Sequence, residues 1–203
     1  MYDNNKQKKG IKVIGILGSP RRGGNTEILL DSALAGAVEK GAEVEKVLIT
    51  EMKISPCREL YDCLEAGQCS IQDDMQSLYI KLQLADHIIL ASPIFFYGIT
   101  AQAKAMVDRC QALWVKSHLL DVGKEDIRVR RGAFISVGAT GGKKLFTGAE
   151  LTVKYFYDAI GISYTNSLLI ERIDTKAQIK EHPSAVRDAF LLGQQLVCPV
   201  PLC

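Results

Sequence analysis

Short apolar runs alternate along the chain with longer segments in which apolar residues recur at helical spacing. The first run, IKVIGIL, is continuous and rich in β-branched residues, which is typical of a strand buried on both faces. Five such runs predict strands at residues 11–17, 43–50, 87–92, 132–139 and 162–170. The intervening pattern predicts helices at residues 25–40, 74–85, 100–118 and 147–160, and a last helix with Pro183 in its first turn that ends before Cys198.

Local signals support some of these bounds. Gly41 follows the first helix as a C-terminal stop. Thr147 and Glu150 have the spacing of a capping box at the start of the fourth helix. The charged stretch 121–131 is expected to be irregular.

Five strands, each followed by a helix, predict right-handed crossovers and a parallel sheet with helices on both faces. Of the two common doubly wound sheets, five strands favour the flavodoxin-like order 2-1-3-4-5 over the six-stranded dinucleotide-binding order. We therefore predict an α/β fold, a flavodoxin-like three-layer sandwich, that forms one domain over residues 11–197. Ligands of such sheets lie beyond the carboxyl ends of the strands, so the loops there should decide the function.

Composition narrows the class of protein further. The chain has 203 residues, 47% of them hydrophobic, which is enough for the buried core of one domain. Its net charge is +2, with acids and bases interspersed, which argues against a nucleic-acid surface. No apolar run approaches the roughly 20 residues that span a membrane.

The ends of the chain and the cysteines bear on location. Residues 1–10 are polar and are expected to form a disordered tail, and residues 198–203 a short C-terminal tail. The N-terminal stretch lacks the apolar segment of a secretory signal, so we expect a cytoplasmic, reducing location. In such a compartment the six cysteines are expected to be free thiols or metal ligands rather than disulfides.

The loop after the first strand, GSPRRGGNTE at residues 18–27, has the composition of a phosphate-binding turn. Its glycines let the backbone approach a ligand, Ser19, Asn25 and Thr26 offer short polar side chains, and two arginines offer positive charge. The loop opens a helix, whose free N–H groups and dipole favour an anion. It lacks the Gly-Lys-Ser/Thr of a P-loop and the G-x-G-x-x-G spacing. The alternative is an ordinary glycine-rich turn with a normal helix cap.

Two further loops follow the third and fourth strands. SPIFFYGIT, residues 92–100, places three adjacent aromatic residues just past a strand, where a flat ligand could pack against them or where they could belong to the core. GATGGKK, residues 138–144, is rich in small residues that could admit a planar ligand. A receiver domain of the same sheet order would need acidic residues after the first strand and an aspartate ending the third, and this chain has neither. No Ser-His-Asp or H-E-x-x-H arrangement indicates a hydrolase.

The motifs GSPRRGGNTE, SPIFFYGITAQAKAMVDR and GATGG resemble those of the NAD(P)H-dependent FMN reductase group of flavodoxin-like proteins, and most of all its iron–sulfur flavoprotein branch. They lie in the expected order over roughly residues 11–170. The resemblance implies FMN as the cofactor, with its phosphate at Ser19, Arg21, Asn25 and Thr26. It further implies a flavin ring against Pro93, Ile94, Phe95, Phe96, Tyr97 and Gly98, closed on the far side by Thr140, Gly141 and Gly142.

The activity implied by this resemblance is that of a two-electron oxidoreductase. NAD(P)H would reduce the FMN, and a quinone, a free flavin or a protein acceptor would reoxidise it. Because the cofactor carries the reaction, we expect the site residues to bind and orient it, and we assign no acid–base residue. The resemblance also implies a homodimer or homotetramer. The alternatives are a non-enzymatic electron carrier, which passes single electrons between proteins, and a redox-sensing module without turnover.

The polar stretch CRELYDCLEAGQC, residues 57–69, brings three cysteines together. In the cluster-bearing branch this loop resembles the pattern C-x2-C-x2-C-x5-C, which aligns here with Cys57, Leu60, Cys63 and Cys69. A leucine cannot replace a thiolate, and four thiolates usually hold a [4Fe–4S] cluster. We therefore expect free thiols, and keep as alternatives an iron–sulfur cluster or another metal held by Cys57, Cys63 and Cys69.

Overall fold

The structure is a computed structural model that describes residues 10–122 and 128–198. The tails predicted at residues 1–10 and 198–203 therefore lie almost wholly outside the described residues, as does part of the charged stretch 121–131. The five strands are β1 (Lys12–Leu17), β2 (Glu43–Leu48), β3 (His87–Ala91), β4 (Arg131–Val137) and β5 (Ser163–Ile170). The helices of the described residues are α1 (Asn25–Glu39), α2 (Cys63–Ala66), α3 (Met75–Leu84), α4 (Ala101–Arg109), α5 (Gln111–His118), α6 (Thr147–Ala159) and α7 (Ala185–Val197), with 3₁₀ turns at Ile49–Glu51 and Gln178–Glu181.

The strands form one parallel sheet in the order β2-β1-β3-β4-β5, which confirms the predicted order. The inner strands β1 and β3 are buried along nearly their whole length, which explains their continuous apolar runs. The edge strands β2 and β5 are more exposed and carry more polar residues. Since all the strands are parallel, their carboxyl ends lie along one edge of the sheet.

Two hydrophobic cores, one on each face of the sheet, hold the layers together. The core under α1 and α7 includes Leu29, Leu34 and Leu192. The core under α3 to α6 includes Met106 and Phe156. The molecule therefore has the three layers, helix, sheet and helix, that the sequence predicts. Within the described residues, no helix has the length and apolar character needed to cross a membrane.

Two glycines bring α1 and α7 into backbone contact. A Cβ at Gly36 would lie 2.0 Å from the carbonyl oxygen of Phe190, and one at Gly193 would lie 1.8 Å from that of Ala33. Neither place admits a side chain, so each helix packs its backbone against the other. This contact fixes α7, and the loop that leads into it, against the helix that begins at the glycine-rich loop.

The single helix predicted for residues 100–118 is two helices, so that prediction is wrong at its centre. The hydrogen bonds shorten to i−3 at the junction, where the Cys110 N–H donates to the Val107 carbonyl oxygen at 3.0 Å. The apolar spacing continues across this break and does not signal it. The N-terminal bound is confirmed, since the Thr100 side chain caps α4 by accepting a hydrogen bond from the Ala103 N–H.

The cap of α6 and the start of α7 differ from the prediction, although α6 begins at Thr147 as predicted. Thr147 and Glu150 form no capping box, because the Glu150 carboxylate instead lies 3.3 Å from two hydroxyl groups of β5. Pro183 lies two residues before α7 rather than in its first turn. The ring of His182 caps this helix, since its Nδ1 accepts a hydrogen bond of 3.1 Å from the Ala185 N–H.

A buried tyrosine of α6 links β3 to β4 through hydrogen bonds of its hydroxyl group. The Tyr157 hydroxyl accepts a hydrogen bond from the Leu90 N–H (3.0 Å) and donates to the Ala133 carbonyl oxygen (2.6 Å). Its ring occupies the space beside Gly132, where a Cβ would lie 2.6 Å from the ring carbons. Burial raises the pKa of Tyr157 far above its usual value. The hydroxyl therefore stays protonated and keeps its donor.

Tyr157→Phe should lower the free energy of unfolding by about 1–3 kcal/mol, because it leaves a buried N–H and a buried carbonyl oxygen without their partner. Chemical denaturation of the full chain would measure the change. Tyr155→Phe is the matched control, since Tyr155 lies on the same helix with an exposed side chain. An equal loss of stability in the two variants would contradict this role of the buried hydroxyl.

Candidate functional site

The loops after β1, β3, β4 and β5 meet at the carboxyl edge of the sheet around a small cavity of about 150 Å³. The predicted site residues that line it are Ser19, Arg21, Asn25, Thr26, Pro93, Ile94 and Phe95. The other lining residues are Pro20, Gly24, Val137, Ala139, Ile173 and Asp174. The loops 18–27 and 92–100 thus come together, and a loop that the sequence analysis does not include, the one after β5, joins them.

The loop 18–27 ends at a helix start that is open to an anion. Gly24 occupies the N-cap position of α1 and, having no side chain, cannot cap the helix. The first N–H groups of α1 therefore have no partner within the helix. Ser19, Asn25 and Thr26 are buried beside them, and Ser19 Oγ accepts a hydrogen bond of 3.2 Å from the Arg21 N–H. Helix dipole, N–H groups and hydroxyls all favour negative charge at this place.

A buried carboxylate shapes this turn. Glu27 accepts hydrogen bonds from the Gly23 N–H (2.6 Å) and from the Lys46 ammonium (3.0 Å), and Arg22 lies 3.6 Å away. Burial alone would disfavour the charged form, but these hydrogen bonds outweigh it and lower the pKa of Glu27 below its usual value. Lys46 and Arg22 are therefore engaged with Glu27 and not with the cavity.

The loop between β5 and the second 3₁₀ turn forms part of the cavity wall, which the sequence motifs do not predict. Arg21 donates to the Asp174 carbonyl oxygen at 2.9 Å. The Asn25 amide donates to the Thr175 carbonyl oxygen (2.9 Å) and accepts from the Ile179 N–H (3.1 Å). One signal could have found this loop: ligands of a doubly wound sheet lie at the carboxyl ends of its strands, and β5 ends there as β1 does.

Buried hydroxyl groups connect the loop after β1 to the loop after β3. Thr100 Oγ1 donates to the Gly18 carbonyl oxygen (2.7 Å), and Ser92 Oγ accepts from the Thr100 N–H (3.1 Å). Ser136 Oγ of β4 donates to the Ser92 carbonyl oxygen (2.7 Å). All three hydroxyl residues are fully buried. Because a buried polar group without a partner is costly, these bonds fix the spacing of the two loops.

The loop 92–100 contains a tight hairpin with two aromatic residues at its tip. Phe95 and Gly98 exchange both backbone hydrogen bonds, at 2.9 and 3.0 Å. Between them Phe96 and Tyr97 have φ of 47° and 61°, which makes a type I′ turn, whose central positions favour Asn and Gly. Phe96 is fully exposed and Tyr97 is 62% exposed. The hairpin therefore combines left-handed backbone with two aromatic side chains in solvent.

The loop after β4 contributes Ala139 to the cavity, and its tip lies outside the lining. The Arg172 N–H donates to the Thr140 carbonyl oxygen, and the Gly142 N–H to the Glu171 carboxylate, both at 3.1 Å. The tip is thus held by the loop after β5. The predicted site residues that do not line the cavity are Phe96, Tyr97, Gly98, Thr140, Gly141 and Gly142.

The cysteine stretch belongs to an excursion of the chain, residues 53–74, whose two ends are tied together. The Arg109 guanidinium of α4 is buried and donates to the Asp73 carboxylate (2.8 Å) and to the carbonyl oxygens of Ser55 (2.9 Å) and Ile71 (3.2 Å). Burial opposes the charge of Arg109, but the hydrogen bond to Asp73 outweighs it and raises the pKa of Arg109. The excursion is therefore fixed to α4 by a charged pair.

The three cysteines line one cavity of about 750 Å³ in this excursion. Cys57 is exposed, Cys63 and Cys69 are half-buried, and all three are free thiols. Burial, and then the nearby Cys69 and Cys57, raise the pKa of Cys63. In the described part of the chain, no three Cys, His, Asp or Glu side chains stand together so as to hold a metal ion. With Leu60 in place of a fourth thiol, these residues do not fit a four-thiolate cluster, and a metal at the three cysteines stays an untested alternative to the predicted free thiols.

The sheet order and the cavity at its carboxyl edge define a flavodoxin-like protein. Comparison with known sequences then shows its family. The profile of the NADPH-dependent FMN reductases matches residues 11–155. The chain belongs to this family of oxidoreductases.

Two relatives and one solved structure show how similar the chain is to known proteins. An iron–sulfur flavoprotein of Methanocaldococcus jannaschii is 38% identical over 130 residues, which are 64% of this chain and 63% of that protein, so the match spans less than two thirds of it. One of Archaeoglobus fulgidus is 37% identical over 153 residues, 74% of this chain and 75% of that protein. The structure of an NAD(P)H:quinone oxidoreductase from Methanothermobacter marburgensis has a TM-score of 0.71 at 14% identity and covers 92% of this chain and 96% of its own. The resemblance to the iron–sulfur flavoprotein branch is confirmed.

Replacing the tip of the hairpin by the residues that its turn favours should stabilise the fold. Phe96→Asn with Tyr97→Gly should raise the free energy of unfolding of the ligand-free chain by roughly 1–3 kcal/mol, because left-handed backbone is strained in aromatic residues. Denaturant titration measures the change. The control pair Phe96→Ala with Tyr97→Ala removes both rings and keeps the strain, so it should gain little. Equal stability of the two double variants would show that strain is not the cause.

Proposed function

We propose that the protein is an FMN-dependent oxidoreductase, in which NAD(P)H reduces the bound FMN and a quinone, a flavin or a protein acceptor reoxidises it. The observation that supports this most directly is the meeting of two unlike surfaces at one edge of the sheet. An anion-binding helix start lies beside a strained aromatic hairpin. FMN has the same two parts, a phosphate and a flat ring system, and family membership supports the same cofactor.

The phosphate of FMN would lie in the cavity at the start of α1. The first N–H groups and the helix dipole favour an anion there, and the side chains of Ser19, Arg21 and Thr26 line the same space. Asn25 would act differently, because its amide nitrogen and oxygen are both hydrogen-bonded to the segment before α7. It would hold that segment in place. A cavity of about 150 Å³ is small beside the roughly 300–1,000 Å³ of ligand pockets, so it suits the phosphate and not the ring.

The ring would lie outside the cavity, against the hairpin of residues 93–98. Phe96 and Tyr97 offer exposed aromatic surface for it. Residues 140–142 would close the far side with backbone and small side chains. Because the cavity is small and also lined by Ile173 and Asp174, an adenylate attached to the phosphate would find no room in it, and FMN is favoured over FAD.

Bound FMN would supply the redox chemistry, which consists of accepting hydride from the nicotinamide and passing electrons on. The residues of the chain bind and orient: the cavity fixes one end of the ligand, and the hairpin fixes one face of the ring. Among the described residues, Arg21 and Asp174 are the charged side chains of the cavity lining. Because the cofactor would carry the reaction, we assign no general acid or base.

A non-enzymatic electron carrier is the second candidate function. The observation that favours it is the exposure of Phe96 and Tyr97, which would let a docked protein approach the ring as easily as a nucleotide. The proposal also includes a homodimer or homotetramer, for which Leu151 and Tyr155 of α6 offer exposed apolar surface.

Steady-state oxidation of NADH and NADPH by the FMN-loaded full chain should occur with a quinone as the acceptor, because the nucleotide would reduce the bound FMN and the quinone would reoxidise it. Loss of nucleotide absorbance measures it, and the flavin-free chain is the control. Absence of turnover with either nucleotide, together with flavin reduction by a reduced ferredoxin, would support the carrier instead.

Arg21→Ala should weaken FMN binding by about 1.5–3 kcal/mol, the range for hydrogen bonds to charged groups, and should leave riboflavin binding unchanged. Flavin fluorescence titration of the stripped protein measures both constants. Arg22→Ala is the matched control, because the neighbouring arginine is paired with the carboxylates of Glu27 and Glu51. If wild-type protein bound riboflavin as tightly as FMN, the phosphate assignment would be wrong.

A further inference from the structure

The loop between β5 and α7 packs against the start of α1, although it lies outside the residues 11–155 that match the family. Arg21 donates to the Asp174 carbonyl oxygen, and Asn25 donates to that of Thr175, each at 2.9 Å. Both donors come from the loop that would hold the phosphate. The loop after β5 is thus attached directly to the cavity through its backbone.

Lys176 stands at the turn of this attached loop. Gln178 closes the turn by accepting hydrogen bonds from the N–H groups of the two residues before Lys176. Ala177 has a left-handed φ of 63°, a strained conformation for alanine. The turn places Lys176 against Gly23, where a Cβ would lie 3.5 Å from the lysine Cε and 3.8 Å from its Nζ. The ammonium group therefore lies beside the glycine turn at which α1 begins, next to the cavity but outside its lining.

The positive charges around this turn are not equally able to meet an anion. Arg22 and Lys46 each pair with Glu27 and with a second carboxylate. Within the described residues, by contrast, neither Arg21 nor Lys176 is paired with a carboxylate. Two cations, one from each loop, remain for a ligand at the helix start.

We propose that Lys176 is a cofactor-binding residue that, together with Arg21, holds the phosphate of FMN. The inference rests on the proposed FMN site and adds the loop after β5 as its outer wall. A phosphomonoester carries a charge of about −1.5 to −2 near neutral pH, so a single arginine leaves part of it uncompensated. Arg21 offers a planar set of donors and Lys176 a compact point charge. Their joint effect is to select FMN over riboflavin, which has no phosphate.

The test compares Lys176→Gln with Lys180→Gln, a matched control that removes an exposed lysine four residues further along. Fluorescence titration of the flavin-stripped full chain gives dissociation constants for FMN and for riboflavin at low and high salt. Lys176→Gln should weaken FMN about tenfold and leave riboflavin unchanged, and high salt should shrink the difference because the interaction is screened. Lys176→Arg should keep FMN affinity within about twofold, since the charge is retained.

The outcomes separate this inference from the function on which it rests. If Lys176→Gln binds FMN as wild type does while Arg21→Ala loses affinity for FMN alone, the role of Lys176 is refuted and the phosphate site stands. If Lys176→Gln weakens both flavins equally, or matches Lys180→Gln, the lysine does not contact the phosphate. If Arg21→Ala also fails to distinguish FMN from riboflavin, the proposed phosphate site itself is wrong.

Discussion

The hydrogen bond from Thr100 Oγ1 to the Gly18 carbonyl oxygen, 2.7 Å long and fully buried, is the contact on which the geometry of the site depends. The same hydroxyl accepts from the Ala103 N–H and so caps α4, and Ser92 Oγ accepts from the Thr100 N–H. Because water is excluded from this region, breaking the set would leave several polar groups unsatisfied. The helix start after β1 and the hairpin after β3 therefore keep a fixed separation. A ligand with a charged end and a flat end requires such a fixed separation.

A second constraint, the buried pair of Arg109 and Asp73, explains how a long polar excursion stays part of the domain. Burying a charge is costly unless it is well paired, and Arg109 Nε has no hydrogen-bond partner in the described part of the chain. The pair therefore contributes more to geometry than to stability. It draws the two ends of residues 53–74 together against α4 and leaves the cysteines on the outer part of the loop. Their common cavity follows from this closure and not from contacts among the thiols.

Local patterns in the sequence are enough to predict the sheet order and three of the four loops at its carboxyl edge, because apolar runs and turn residues mark both. The loop after β5 cannot be placed from local patterns, because the hydrogen bond between Asn25 and Ile179 joins residues 154 positions apart. The absence of a capping box in α6 is not predictable in this way either, because hydroxyls of β5 compete for the Glu150 carboxylate. The type I′ turn is not predictable because its local sequence argues against it: Phe96 and Tyr97 are residues that such a turn disfavours.

This disfavoured turn holds two aromatic residues at the surface of the ligand-free chain. Left-handed backbone is strained in aromatic residues, and it persists here because several separate contacts hold the turn. Phe95 and Gly98 fix its base with two hydrogen bonds, and the Tyr97 carbonyl oxygen packs where a Cβ on Gly148 would lie 2.8 Å away. Both aromatic residues remain in solvent. A flat ligand stacked on them would bury apolar surface without moving the backbone.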